Sequence, residues 1–185
     1  LERCGEPVTV GVSCPRGAVQ RNEQWTLTDQ TGRAVPLQTT TLDRWGDGSV
    51  RWLLVDFQAS TTAGQPSYYA LAPHDAALPV DPAVVIEHAG EIIRVSTGVA
   101  TFGVPRSGNG LLASATVAGA NLVAASSVIA EDHAGGTYQL QVYRTIVERA
   151  GPLSATLRLD GHLVDHAGAP WLDVTTRLNF FAGLG

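Results

Sequence analysis

The sequence predicts an all-β fold, on three observations. Apolar residues almost nowhere recur with the helical period of about 3.6. Runs of Val, Ile, Thr, Leu and aromatic residues are instead short. They are punctuated by turn formers, with 20 Gly and 10 Pro in 185 residues.

The elements follow in order. Pro7 to Val12 alternates apolar and small residues and reads as a first strand, closed by Pro15-Arg16-Gly17. Trp25 to Thr28 alternates, then Asp29-Gln30-Thr31-Gly32 turns. Ala34 to Leu42 returns, with Val35, Leu37 and Thr39 expected on one face. Asp47-Gly48 is a tight-turn signal before Ser49 to Phe57, the most apolar strand of the N-terminal half and the one expected at the centre of a sheet. Tyr68 to Leu71 is another strand. From Ala72 to Ala83 the period disappears, and Pro73, Pro79 and Pro82 predict an extended connector. A short helix over His74 to Leu78 is the alternative there. A domain boundary is expected near residue 80.

Strands then resume at Val84 to Ile86, Glu91 to Thr97 and Thr101 to Val104. Leu111 to Val117 and Leu122 to Ile129 follow, with Gly119-Ala120-Asn121 as their turn. Tyr138 to Glu148, Leu153 to Leu159, Leu159 to Val164 and Trp171 to Phe181 complete the set. Turns every 8–12 residues or so predict an antiparallel sheet or sandwich.

Composition narrows the function. No run of roughly 18 apolar residues is present, so no helical membrane span is expected. A net charge of −5 argues against a non-specific nucleic-acid binder. The sequence contains no Met and no Lys; all 12 basic residues are Arg. Without an initiating Met, and with Phe180-Phe181 close to its last residue, the chain reads as a processed product or a fragment of a longer protein. Cys4 and Cys14 are separated by a chain that spans roughly 33 Å when extended, against about 5.5–6 Å between bridged Cα atoms. Pro7 and Gly11 permit a bend, but Val8, Val10 and Val12 alternate as a strand, so two small buried thiols are the expectation.

Arg44-Trp45-Gly46-Asp47-Gly48-Ser49-Val50-Arg51-Trp52 is the densest polar–aromatic cluster. Tryptophan faces stack on sugar rings and arginine forks pair with carboxylates, so Trp45, Arg51, Arg44 and Asp47 are the candidate substrate contacts. The plainer reading is structural: one Trp packs in the core, and an Arg stacks on the other Trp or pairs with Asp47. His162 and His166 flank Asp165, with Asp160 nearby, but strand-then-turn spacing does not converge them on a metal. Glu131-Asp132-His133 could be an acid–base pair or a polar loop tip. No elbow motif, phosphate loop or metal-spaced cysteine pair is present, and no metal or cofactor is expected.

Several of these segments carry a likeness. Pro7 to Val12 with Pro15-Arg16-Gly17, Leu27-Thr28-Asp29 with Gly32, Val35-Pro36-Leu37-Gln38, and Arg44 to Leu54 resemble the N-terminal barrel of exo-rhamnogalacturonan lyase-like proteins. That barrel is of the RIFT type, shared with translation factors and riboflavin synthase. From Ile92 onward the chain is similar to the β-sandwich that follows in those proteins, through Thr97-Gly98, Glu148, Gly151-Pro152-Leu153 and Phe180 to Gly183. Cys14 stands where that pattern has an aromatic residue.

The resemblance implies a RIFT-type barrel over residues 1–80 and a partial, super-sandwich-like β-sandwich over 81–185. It implies a secreted or periplasmic protein whose partners are a polysaccharide or oligosaccharide and the C-terminal remainder of a parent chain. The parent would cleave acidic pectin-type glycan by β-elimination. No motif here carries a catalytic role, so the catalytic residues stay unassigned. A non-catalytic carbohydrate-binding or structural module and a glycoside-hydrolase fragment are the alternatives.

Overall fold

The computed structural model describes residues 2–20, 24–74, 80–81 and 83–185. All regular structure among them is β, in two compact units, Leu1–Val80 and Asp81–Gly185.

The first unit holds β1 (Arg3–Ser13), β2 (Gln24–Asp29), β3 (Ala34–Val35), β4 (Leu37–Arg44), β5 (Val50–Thr61) and β6 (Tyr69–His74). They form two three-stranded antiparallel sheets, β1-β5-β4 and β3-β2-β6. The apolar β5 is the central strand of its sheet, as its composition predicts. Leu53, Val55, Phe57 and Ala59 recur at every second residue along it and are buried with Trp25, Leu27 and Leu37. The expected single strand from Ala34 to Leu42 is broken at Pro36. Val35 pairs with Leu27 in one sheet and Leu37 pairs with Phe57 in the other, so Val35 lies in a different sheet from Leu37 and Thr39, which share a face of β4, although Val35 packs on the same core as Leu37. Proline has no N–H for a ladder, and here it marks the change of sheet.

Strand β6 runs on through Pro73 to His74, so the connector starts later than its composition suggests. The alternative helix over His74 to Leu78 lies, beyond His74, outside the described residues. Cys14 is buried and Cys4 is exposed, and the two are not bridged to each other. The expected burial of Cys4 fails because β1 is an outer strand of its sheet and Cys4 lies near its open end, with Sγ 3.7 Å from Ser60 Oγ.

The second unit has one five-stranded sheet, β12-β11-β9-β8-β7. Its strands are β7 (Val85–Ala89), β8 (Ile92–Ser96), β9 (Ala100–Pro105), β11 (Ser114–Val117) and β12 (Ala120–Val123). A second sheet runs β10-β14-β15-β16, from β10 (Gly108–Asn109), β14 (Thr137–Arg149), β15 (Ser154–Val164) and β16 (Pro170–Phe181); β13 (Ile129–Glu131) also pairs with β14. Ile93, Val95 and Val104 from the first sheet and Leu140, Val142, Leu157 and Leu159 from the second form the core. Phe102 meets Phe180 with ring centroids 5.1 Å apart, and Thr145 Oγ1 donates to Pro105 O at 2.7 Å.

Two expectations change here. The β11–β12 turn sits at Ala118-Gly119, both at positive φ (49° and 79°), while Ala120 and Asn121 already belong to β12. The strand predicted over Leu122 to Ile129 is interrupted after Val123. Ser126 instead binds a neighbouring loop: its N–H donates to Leu112 O, and its Oγ accepts from the N–H groups of Leu111 and Leu112. The same bonds hold Leu111 and Leu112 out of β11.

Candidate functional site

The turn between β4 and β5 gathers the residues singled out in the sequence. Trp45 N–H donates to Ser49 O and Gly48 N–H to Trp45 O, both at 2.9 Å. Gly48 takes the left-handed conformation (φ 86°) that closes such a hairpin. Asp47 holds the turn from within. Its Oδ1 accepts from Ser49 N–H (3.0 Å) and Ser49 Oγ–H (2.6 Å), and its Oδ2 accepts from Arg16 Nε–H (3.1 Å). The Ser49 hydroxyl above all, then its N–H, hold the Asp47 carboxyl down to about 2 against desolvation, with a smaller contribution from Arg16.

Trp45 Nε1 donates to Cys14 O at 3.0 Å, and the Arg51 guanidinium carbon lies 4.9 Å from the Trp45 ring centroid. Arg51 pairs with Asp43 (3.2 Å) rather than Asp47, and Arg44 donates to Gly48 O at 3.0 Å. The structure thus brings Trp45 and Arg51 into contact and places Arg44 and Asp47 in the frame of the turn. Neither tryptophan packs in the core: Trp45 is half-buried and Trp52 is 41% exposed.

The same turn chemistry explains both histidine-bearing loops. Asp132-His133-Ala134-Gly135 and Asp165-His166-Ala167-Gly168 are identical tetrapeptides. In each, the Asp Oδ1 accepts from the N–H groups two and four residues on, at 2.8–2.9 Å. His133 and His166 are exposed at these tips. Asp132 also accepts from Tyr138 Oη (3.0 Å). These loops are hairpin tips, and no group of three or more metal-binding side chains forms among the described residues.

A larger polar constellation, not assembled from the sequence, lies on the face of β14, β15 and β16 turned away from the core. Along β15, Leu157, Leu159 and Leu163 point inward, and Thr156, Arg158, Asp160 and His162 point the other way. Register sets Arg144 of β14 and Thr175 of β16 on either side of Asp160. Asp160 is 2% exposed, and its carboxylate is fully engaged. Oδ2 accepts from Arg144 Nε (3.1 Å) and Nη2 (2.6 Å); Oδ1 accepts from Arg158 Nε (2.8 Å) and Thr175 Oγ1 (3.0 Å). The Arg144 bonds foremost, with Arg158 and Thr175, hold this carboxyl down to about 2 against the desolvation that would raise it.

Arg177 grips Glu148 through two N–H groups (2.6 and 2.8 Å), which lowers the Glu148 pKa, and Arg158 reaches Glu148 at 3.8 Å. Beside them His162 Nδ1 lies 2.8 Å from Asp173 Oδ1, and its ring centroid is 4.9 Å from that of Tyr143. Three guanidiniums meet two carboxylates in this network. The side chains of Arg144 and Arg177 remain 56% and 52% exposed. Such a face can bind anionic groups. Carboxyls held near 2 are permanently ionised at neutral pH and are weak bases there. The alternation Arg158-x-Asp160-x-His162 was legible in the sequence; its partners on β14 and β16 were not.

Comparison with known families agrees with the two units. A family model described as a PcRGLX-like N-terminal RIFT barrel domain matches residues 2–72, and one described as a PcRGLX-like protein central β-sandwich domain matches residues 84–185. No curated protein matches the chain. With the second match covering more than half of its residues, the chain belongs to the PcRGLX-like family of exo-rhamnogalacturonan lyase-like proteins, of which it carries the N-terminal RIFT barrel and central β-sandwich.

Proposed function

We propose that this chain is the N-terminal, non-catalytic part of a secreted or periplasmic polysaccharide lyase-like protein that cleaves acidic, pectin-type glycan by β-elimination. The observation that carries this reading is the order of the two family matches, the N-terminal barrel followed by the central sandwich. β-Elimination needs a base for the proton alpha to a uronate carboxyl, and a cation or strong donor for the charge that develops. The carboxylates of the two networks above are bound to hydrogen-bond donors and ionised, which favours a structural or binding role for them over proton transfer. The arginine-rich face of β14–β16 suits an anionic polymer, and Trp45 with Arg51 offers an aromatic and cationic contact.

The test compares residues 1–185 with the product of the gene's full reading frame on rhamnogalacturonan, following the absorbance of unsaturated uronate. The full product raises it and residues 1–185 alone do not. A rise with residues 1–185 alone overturns the non-catalytic assignment. New reducing ends without absorbance make the parent a hydrolase. The second reading is a carbohydrate-binding module, favoured by the exposed side chains of Arg144 and Arg177. It requires acidic oligosaccharides to change the tryptophan fluorescence of a chain with no lyase partner activity, with Trp45→Ala as the control.

A further inference from the structure

A cleft in the barrel unit lies beside the β2–β3 hairpin, away from the β4–β5 turn. Its cavity of about 320 Å³ falls at the small end of ligand pockets, roughly 300–1,000 Å³. Two residues of its walls and an adjoining cavity point to one class of ligand.

Tyr68 is 66% exposed and lines the cavity. Its neighbour Tyr69 is fixed beneath: the ring packs on Phe57 at 4.9 Å between centroids, and Oη accepts from Ser60 N–H at 3.0 Å. Ser67 Oγ donates to Ser60 O at 3.1 Å. The segment presenting Tyr68 is therefore tied to β5, and its ring is an apolar face at the edge of a polar cavity, the arrangement that stacks on the C–H face of a pyranose.

Arg33 lines the same cavity as Asp29 and, unlike the arginines of the β14–β16 face, makes no ion-pair contact among the described residues, although its charge helps to lower the Asp29 pKa. Its nearest acidic neighbour in the hairpin, Asp29, spends Oδ1 on the turn, accepting from Thr31 N–H, Thr31 Oγ–H and Arg33 N–H. An exposed guanidinium whose N–H groups no carboxylate holds directly is a fork for a ligand's carboxylate. A second cavity of about 150 Å³ shares Gln30, Ser60 and Ser67 with the first and is also lined by Arg3, which likewise has no ion pair among the described residues.

We propose that these adjoining cavities bind a carboxylated sugar, with the pyranose ring on Tyr68 and its carboxylate on Arg33, and that the next acidic unit of an oligosaccharide reaches Arg3. The requirement for a carboxylate comes from Arg33; the choice of galacturonate as the carboxylated sugar rests on the proposed function.

The test is calorimetric titration of residues 1–185 with digalacturonate, glucuronate and neutral galactobiose, using Arg33→Gln, Tyr68→Ala, Tyr68→Phe and, as a control in the other unit, Arg94→Gln, whose side chain pairs with exposed Glu87. The three positions are solvent-exposed, and melting curves confirm that each variant folds. Saturable binding of the acidic sugars in the millimolar range or tighter is expected, with galactobiose about tenfold weaker or more. Arg33→Gln and Tyr68→Ala each weaken binding by a similar factor, while Tyr68→Phe and Arg94→Gln leave it unchanged. Absence of binding, equal binding of galactobiose, or indifference to both Arg33→Gln and Tyr68→Ala overturns the proposal. Binding of glucuronate but not digalacturonate supports the carboxylate site and counts against the pectin reading. The lyase assay on the full reading frame is independent of all these outcomes.

Discussion

Gly161 lies in β15 between Asp160 and His162, paired with Val142 of β14 next to a bulge. A Cβ at this position meets Gln141 O at 2.6 Å and Leu140 Cδ1 at 3.0 Å, whereas ordinary contact starts at 3.4 Å. The atom in the way is a backbone oxygen, so relief requires the two strands to separate by several tenths of an ångström. Ladder bonds tolerate little of this before they weaken. Overpacking of this kind costs about 1–3 kcal/mol. Losing glycine's freedom in the unfolded chain returns about 0.4–1 kcal/mol. Gly161→Ala is therefore expected to destabilise the sandwich unit by about 1–2 kcal/mol, a fall in its melting temperature of roughly 5–15 °C for a domain of this size. The bonds from Arg144 to Asp160 cross the same strand pair, so the variant also loses part of its acid-sensitive stability. Calorimetry resolving the sandwich transition, repeated at low pH, reads both effects. A melting temperature equal to or above that of the parent sequence would falsify the close-approach argument.

Asp160→Asn is expected to lower stability at neutral pH and to converge with the parent in acid. The folded carboxyl is held below its ordinary value, so its contribution is complete above about 3.8 and is lost as pH falls toward 2. Urea titrations giving parallel curves from pH 7 to 2.5 would refute this. Leu157 is fully buried, and Leu157→Ala should cost about 2–5 kcal/mol by chemical denaturation; a loss under 1 kcal/mol, on the order of a surface change, contradicts the core assignment. Arg51→Ala removes a stack on Trp45 and an exposed pair with Asp43, worth together about 1 kcal/mol. A loss of several kcal/mol would show that the β4–β5 turn depends on Arg51 as a structural pin.

Leu53, Val55, Phe57 and Ala59 announce a half-buried strand because their spacing of two matches the pleat, whatever lies across it. Asp29, Asp132 and Asp165 announce hairpin tips because each carboxylate satisfies N–H groups within four residues. The likeness to the family was legible in the same local patterns, around the β4–β5 turn above all. Among the candidate contacts, the meeting of Trp45 and Arg51 was readable as one of the local options, whereas the ion-pair partners of Asp47 and Arg51 were not, because Arg16 and Asp43 reach them from other elements.

The sequence by itself therefore determined the β class, most strands and the aspartate-closed turns, since these depend on interactions a few residues long. Only the tertiary structure decided which strands are neighbours. It moved the chain between sheets at Pro36, left Cys4 exposed on an outer strand, and drew Ser126 away from a strand into a loop contact. It also joined Arg144, Asp160 and Thr175 from three strands, and left Arg33 with Tyr68 at one cleft. The physical reason is the same in each case: burial and charge pairing are fixed by what crosses from a distant part of the chain, and no period in the sequence encodes that partner.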